Sequence, residues 1–324
     1  MRVLLALAAL MLAWPCAAQD KPIRIWGNPA MLGIAERWAE AYRRLHPDAR
    51  FEFAMKGSDS AIHGLTGGVA DLAFMGRAND AVDDNGFSRP MEYDATRIEI
   101  ANGSVSVPGK SDAIAVLVDA ANPLRQLSLQ QLAAIIDCAG ATKPIRTWGQ
   151  LGLTGEWAAK PIRVDAYDFA SRTGAWLQDR IARGSRRMCW DRITEYGDAR
   201  RLDGTIDYAA DRAGAAARGD RYALAIANPG QAVDGLRVVP LKDGADPAIL
   251  PSTDTIVARR YPLARRAYAF FARKPGTTLD RRVADFLRFV LSDEGQGLLA
   301  QDRGYLPLTS AIAADQRRIV DGDR

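Results

Sequence analysis

Hydrophobic and polar positions follow two rhythms along this chain. Ile23-Arg24-Ile25-Trp26 alternates with the period of a strand and stops at Gly27. Over residues 34–45 the period lengthens to that of a helix. Ile34, Trp38, Ala41, Tyr42 and Leu45 share one face, and Glu36, Arg37, Glu40, Arg43 and Arg44 take the other. Pro47-Asp48 breaks this helix. Residues 51–55 then predict a second strand, 59–65 a short helix and 69–75 a third strand. Further strands are predicted at 113–118, 162–164, 223–227 and 237–240, with helices at 128–136, where Ser128 is the N-cap, and at 173–182. More regular structure falls at 263–272 and 278–292. Strand-then-helix units repeated in this way predict an α/β fold with mainly parallel sheets flanked by helices. The stretch 79–110, rich in Asp, Asn, Gly, Ser and Pro, reads as a connecting segment before a second lobe.

The first residues change the picture by assigning a compartment. Met1-Arg2 is a short basic start, residues 3–14 are almost unbroken apolar, and small residues precede Gln19-Asp20. That layout predicts a secretory signal peptide cleaved after Ala18 and a mature protein in the periplasm. The apolar run is too short for a bilayer core of about 30 Å. A lipid-modified Cys16 is disfavoured, because Ala13-Trp14-Pro15 departs from the small residues such a site requires. Cleavage leaves Cys138 and Cys189. In an oxidising compartment they suggest one disulfide, closing a loop of about 50 residues and stabilising by roughly 4 kcal/mol; two free buried thiols are the alternative. There is no CxxC, and His46 and His63 are the two histidines. The chain therefore predicts no metal site and no cofactor.

Charge excludes one partner class. The formal net charge of the whole chain is +4, and loss of Arg2 with the leader lowers it by one. The basic residues are scattered, without the clustered patch and interleaved aromatics of a nucleic-acid binder. A mature chain of this length suits two domains rather than one core.

Three strand-to-helix turns carry the candidate chemistry: Gly27-Asn28-Pro29-Ala30, Gly57-Ser58-Asp59-Ser60 and Ala170-Ser171-Arg172-Thr173. The first turn of a helix leaves backbone N–H groups unpaired at the positive end of the dipole, and nearby hydroxyls add donors. In α/β sheets ligands gather at the carboxyl ends of strands, where these turns lie. Ser58, Ser171 and Thr173 read either as contacts to an oxyanion or as ordinary N-caps. Arg77 and Arg172 read as charged partners of the anion or as solvated, salt-bridged side chains, and Asp168 as a group that holds Arg172 or caps the helix.

With these residues in view, the chain resembles the phosphate-binding periplasmic proteins that serve ABC transporters, members of the two-lobed, type II solute-binding superfamily. Residues 56–60 and 67–77 are similar to the family's glycine–serine loop, helix and following strand. Residues 112–118 with Ala121-Asn122-Pro123-Leu124 resemble its crossover strand, and 127–132 and 148–152 the segment that follows. The most specific match is Tyr261-Pro262-Leu263-Ala264-Arg265, then residues 286–296 and Gly304-Tyr305-Leu306-Pro307-Leu308.

The resemblance implies two lobes, residues 19–112 plus 253–324 and residues 113–252, joined by two hinge strands and closing over a ligand. It implies a small inorganic oxyanion, phosphate first, delivered to a transporter permease by a monomer. Ser58 takes the place of the family's loop serine, Ser171 and Thr173 that of its serine–threonine turn, and Asn28 with the Ala30 backbone N–H that of its first turn, where Pro29 donates nothing. Gly76 replaces an acidic or hydroxyl residue, Tyr167 stands where an arginine is often found, and Arg172 replaces a glycine. Capture without catalysis is the leading reading. A phosphatase would need a base beside a nucleophile, and neither histidine sits in such a motif. An envelope sensor or interaction protein that keeps the fold with a different or lost ligand is the other reading, motivated by Gly76, Tyr167 and Arg172.

Overall fold

A computed structural model describes residues 21–138, 143–182, 187–302 and 304–322. The expected leader, residues 1–18, lies outside them. Among the described residues no helix is long and apolar enough to cross a membrane.

Two five-stranded sheets, each flanked by helices, organise the molecule. The first runs Phe51–Ala54, Ile23–Gly27, Leu72–Met75, Arg266–Phe271, Thr96–Asn102. The second runs Leu236–Val238, Ala115–Asp119, Ala223–Ala227, Arg163–Tyr167, Ile193–Tyr196. In both, the strand–helix–strand units pair in parallel, as Ile25 does with Phe53 and Leu72 and Val164 with Ile193 and Leu224. The remaining pairings are antiparallel, among them Ala269 with Ile98 and Leu224 with Val118. The sheets are therefore mixed as expected, but parallel pairing accounts for half of each rather than most of it. Strands contributed from across a crossing enter next to their neighbours in the opposite direction.

The helix Leu32–Leu45 shows how the pattern becomes packing. Ile34, Trp38, Ala41 and Tyr42 are buried against the first sheet, and fully burying an aliphatic or Phe-sized side chain stabilises by about 1.5–3 kcal/mol. Trp38 Nε1 donates to the Gly295 carbonyl at 2.7 Å, so its polar edge is satisfied in the core. Leu45, assigned to the same face, is 57% exposed; it is the last helical residue, and His46 stacks on Tyr42 where the face ends.

The expected connecting segment 79–110 is partly regular. It holds the helix Ala81–Met91 and the strand Thr96–Asn102. The helix buries only Asp83 and Phe87 and is started by a capping box between Asp80 and Asp83, so its composition resembles that of a loop. The strand acquires its order from pairing with Arg266–Phe271, far away in sequence.

The chain passes between the sheets twice, and neither passage is a strand. Gly103 N–H donates to the Arg265 carbonyl at 2.8 Å and Ile114 N–H to the Leu263 carbonyl at 3.1 Å, which ties the two crossings together. Ile256, Tyr261 and Leu263 pack in the core of the second sheet. The return crossing thus lies beyond Leu263 rather than at residue 252.

Cys138 and Cys189 form a disulfide with Cα atoms 5.0 Å apart and a sequence separation of 51. Replacing both with serine is expected to lower stability by about 4 kcal/mol, the loop-entropy contribution of a loop this long. Urea denaturation of the oxidised protein and the double variant measures it, and coincident curves would refute it.

Candidate functional site

A cavity of about 650 Å³ opens between the two sheets and is lined from both. On one wall, Gly57 takes φ 121°, a conformation that suits glycine, and turns the chain from the strand Phe51–Ala54 into the helix Ser58–Thr66. The Gly57 N–H donates to the Gly27 carbonyl at 2.9 Å, which fixes this turn against the end of the neighbouring strand. No side chain caps the helix start, so its leading N–H groups keep their hydrogen-bonding capacity at the cavity. Ser58 Oγ has no partner among the described residues.

The neighbouring turn is arranged differently. Asn28 Oδ1 accepts the Ala30 N–H at 2.9 Å. Ala30 therefore has no N–H to offer a ligand, and it lies outside the cavity lining. The Asn28 amide nitrogen takes its place as the donor at this corner. Gly76 sits beside it, and its missing side chain has a steric reason. A Cβ there would lie 2.8 Å from Ser111 Oγ and 3.3 Å from Asn28 Nδ2. Ser111, held at φ 49°, fills the space from the first crossing and donates to the Gly76 carbonyl at 2.7 Å.

From the second lobe comes the start of the helix Arg172–Ala182. Ser171 Oγ accepts the Gly174 N–H at 3.1 Å and donates to the Asp168 carbonyl at 2.5 Å. This hydroxyl is a cap. Asp168 turns its carboxylate to the Ala170 N–H at 2.8 Å, holding the turn rather than Arg172. Thr173 Oγ1 accepts from Arg265 Nη1 at 2.9 Å. Ser171 and Thr173 thus shape the site, while Arg172 and Thr173 present the leading N–H groups of this helix.

Arg77 and Arg172 are not spare positive charge. Arg77 donates to Asp83, to Asp59 at 2.5 Å and to the Ala78 carbonyl at 3.0 Å. Burial pulls the pKa of Arg77 down, and Asp83 and Asp59 more than offset this, leaving it above its ordinary value. Arg172 pairs with Asp80 and lies 3.5 Å from Asp59, both on the opposite lobe. Two guanidiniums facing three carboxylates carry a net negative charge. In sequence Asp59 opens a short predicted helix while Asp80 and Asp83 fall in the stretch read as a connecting segment; only the fold gathers them.

Sequence reasoning missed a further group. Arg265, on the return crossing, donates through Nε to the Asp112 carbonyl at 2.7 Å and through Nη2 to Asp112 Oδ1 at 2.9 Å. Asp112 is 5% exposed and also accepts from Asn228 Nδ2 at 2.5 Å. A carboxylate opening the apolar run that ends at Val118 was the available signal. Tyr167, in place of the expected arginine, is buried, lines the cavity, and has a hydroxyl with no hydrogen-bond partner among the described residues. Burial first, then the Asp112 charge, pushes its pKa far up, so the hydroxyl remains protonated and able to donate. Neither His46 nor His63 lines the cavity. His63 is exposed, and its Nδ1 meets the Asp59 carbonyl at 2.8 Å.

The arrangement suits an anion bound by neutral donors: two helix starts, the Ser58 hydroxyl and the Asn28 amide. A family model described as a PBP superfamily domain matches residues 15–294. The phosphate-binding protein PstS of Pseudomonas aeruginosa is 28% identical over 293 residues, covering 89% of this chain and 83% of its own. Protein SphX of Synechococcus elongatus is 24% identical over 308 residues, covering 93% and 82%. Among solved structures, PstS from Borrelia burgdorferi superposes with a TM-score of 0.61 at 15% identity, covering 90% of this chain and all of that one. An ABC-type phosphate transport receptor from Vibrio cholerae does so with 0.56 at 19%, covering 88% and 99%.

Proposed function

Because the chain belongs to the PBP superfamily, we propose that it is a periplasmic solute-binding protein that captures phosphate between its lobes and hands it to an ABC transporter permease, without chemical turnover. The observation that carries this reading is the meeting of the helix starts at Ser58 and Arg172 on one cavity, from opposite lobes. Each presents unpaired N–H groups at the positive end of its dipole. A relative that covers most of the chain is a phosphate-binding protein, and the two lobes would close on the ligand by a hinge at the paired crossings. Ser58, Asn28 and the leading N–H groups at Arg172 and Thr173 bind in this reading. Arg265, Asp112 and Ser171 position them.

Titration calorimetry of the mature protein with phosphate, sulfate and arsenate tests it. Phosphate is expected to bind. Ser58→Ala is expected to weaken it by about 1–3 kcal/mol, the contribution of a hydrogen bond to a charged group, or about 5- to 150-fold in Kd. Absence of heat with every anion, or an unchanged Kd in Ser58→Ala, would refute the proposal.

A further inference from the structure

We infer that the cleft takes a phosphate monoester carrying a flat organic group in preference to inorganic phosphate, an inference that rests on the reading of the cavity as an anion site. Size is the first observation. The lobes already touch across the cavity: Arg172 reaches Asp80 and Asp59, and Arg265 reaches Thr173. The cavity volume between them is nonetheless about 650 Å³. An anion of five heavy atoms displaces the space of a few waters, about 100 Å³ at roughly 30 Å³ each. The remainder falls within the range of cavities that hold larger organic ligands, about 300–1,000 Å³.

The second observation is what lines that remainder. Beyond the helix starts, the wall carries Trp176, Tyr196, Tyr208 and Tyr268. Two of these rings already carry a cation: Arg212 lies 5.5 Å from the Tyr196 centroid and Arg97 lies 5.4 Å from that of Tyr268. Trp176 and Tyr208, both half-buried, have neither ring nor cation partners among the described residues. An inorganic oxyanion makes no use of them, whereas a ring stacks on an aromatic face.

The third is direction. Trp176 lies one helical turn beyond Arg172 and Thr173, whose N–H groups face the anion position. Side chains on a helix lean toward its N-terminus and lie over the preceding turn. The indole is therefore placed beside an organic group esterified to an anion at that helix start. Tyr167 lines the same cavity, with its hydroxyl buried behind the ring-lined wall.

The test is calorimetric titration of the mature full chain with inorganic phosphate, methyl phosphate and phenyl phosphate. Phenyl phosphate is expected to bind at least tenfold more tightly than inorganic phosphate, with methyl phosphate close to the inorganic ion. Trp176→Leu, which keeps an apolar side chain against the core, is expected to reduce phenyl phosphate affinity about tenfold more than inorganic phosphate affinity. Retained phosphate binding shows that this variant folds; should it not, Tyr208→Leu replaces it. Phosphate binding with phenyl phosphate equal or weaker, or a variant that weakens both ligands equally, would overturn this inference and leave the anion site standing. If none of the three ligands binds, the anion site itself is refuted.

Discussion

Replacing Arg265 with alanine is expected to lower stability by about 3–5 kcal/mol and to weaken phosphate binding at least about 100-fold. The side chains of Arg265 and Asp112 are 15% and 7% exposed, and three of the arginine's N–H groups are placed: two on Asp112 and one on Thr173. Removing the guanidinium leaves a buried carboxylate with Asn228 as its remaining side-chain donor. An unpaired buried charge is costly in itself. It also faces the cavity in which an anion is to bind, so the same charge that destabilises the fold repels the ligand. Thr173, released from Arg265, no longer holds the second helix start in place. Urea denaturation followed by tryptophan fluorescence gives the first quantity and calorimetry the second. Arg265→Lys is expected to restore only part of either, because an ammonium lacks the planar fork that spans Asp112 and Thr173. Adding Asp112→Asn to Arg265→Ala is expected to recover stability by removing the stranded charge. A variant with the parental denaturation midpoint would show that this pair does not hold the crossing.

Gly103→Ala is expected to cost at least about 3 kcal/mol, at the upper end of overpacking effects. A methyl group on Gly103 would lie 1.9 Å from the Ser111 carbonyl oxygen and 2.9 Å from that of Arg265. Both obstacles are backbone, so no rotamer change relieves them; the first crossing has to open where Gly103 meets Ser111 and shift away from Arg265 on the return crossing. The bond from Gly103 N–H to Arg265 would be lost in that movement, and with it the alignment of Ser111 and Arg265 at the cavity. Gly33→Ala supplies the opposite sign. That residue is helical with nothing within 4 Å of a new Cβ, and the substitution is expected to stabilise by about 0.5–1 kcal/mol through reduced backbone entropy. Denaturation curves of both variants decide the matter, and equal small effects would contradict the steric account.

Much of the architecture was legible before any coordinates. The strands at Ile23–Gly27 and Ala223–Ala227, the helix at Leu32–Leu45 and the Ser128 cap all lie where periodicity and capping chemistry put them. The disulfide followed from cysteine number and compartment. The site was legible as a set of turns, and six of the seven ligand-binding residues expected from sequence line the cavity. The roles within that set were not. Ser58 and Ser171 look alike in sequence, each a serine at a helix start, yet one hydroxyl is unpartnered and the other closes its own helix. Ala30 was lost to a side chain two residues away. Residues 79–110 misled because a polar helix and an edge strand have little local pattern, and the strand takes its order from a partner far away in sequence.

By itself the sequence determined what depends on near neighbours: the period of each element, the stop signals, the caps and the helix starts at which backbone donors are left over. Those properties arise within a few residues of chain and survive in one dimension. Tertiary structure alone decided which charges meet. Asp59, Asp80 and Asp83 neutralise Arg77 and Arg172, and Arg265 reaches Asp112 from 153 positions away. Ion pairing depends on distance in space and on burial, which sequence separation does not encode. The anion site as proposed therefore rests on neutral donors rather than on the two arginines beside it.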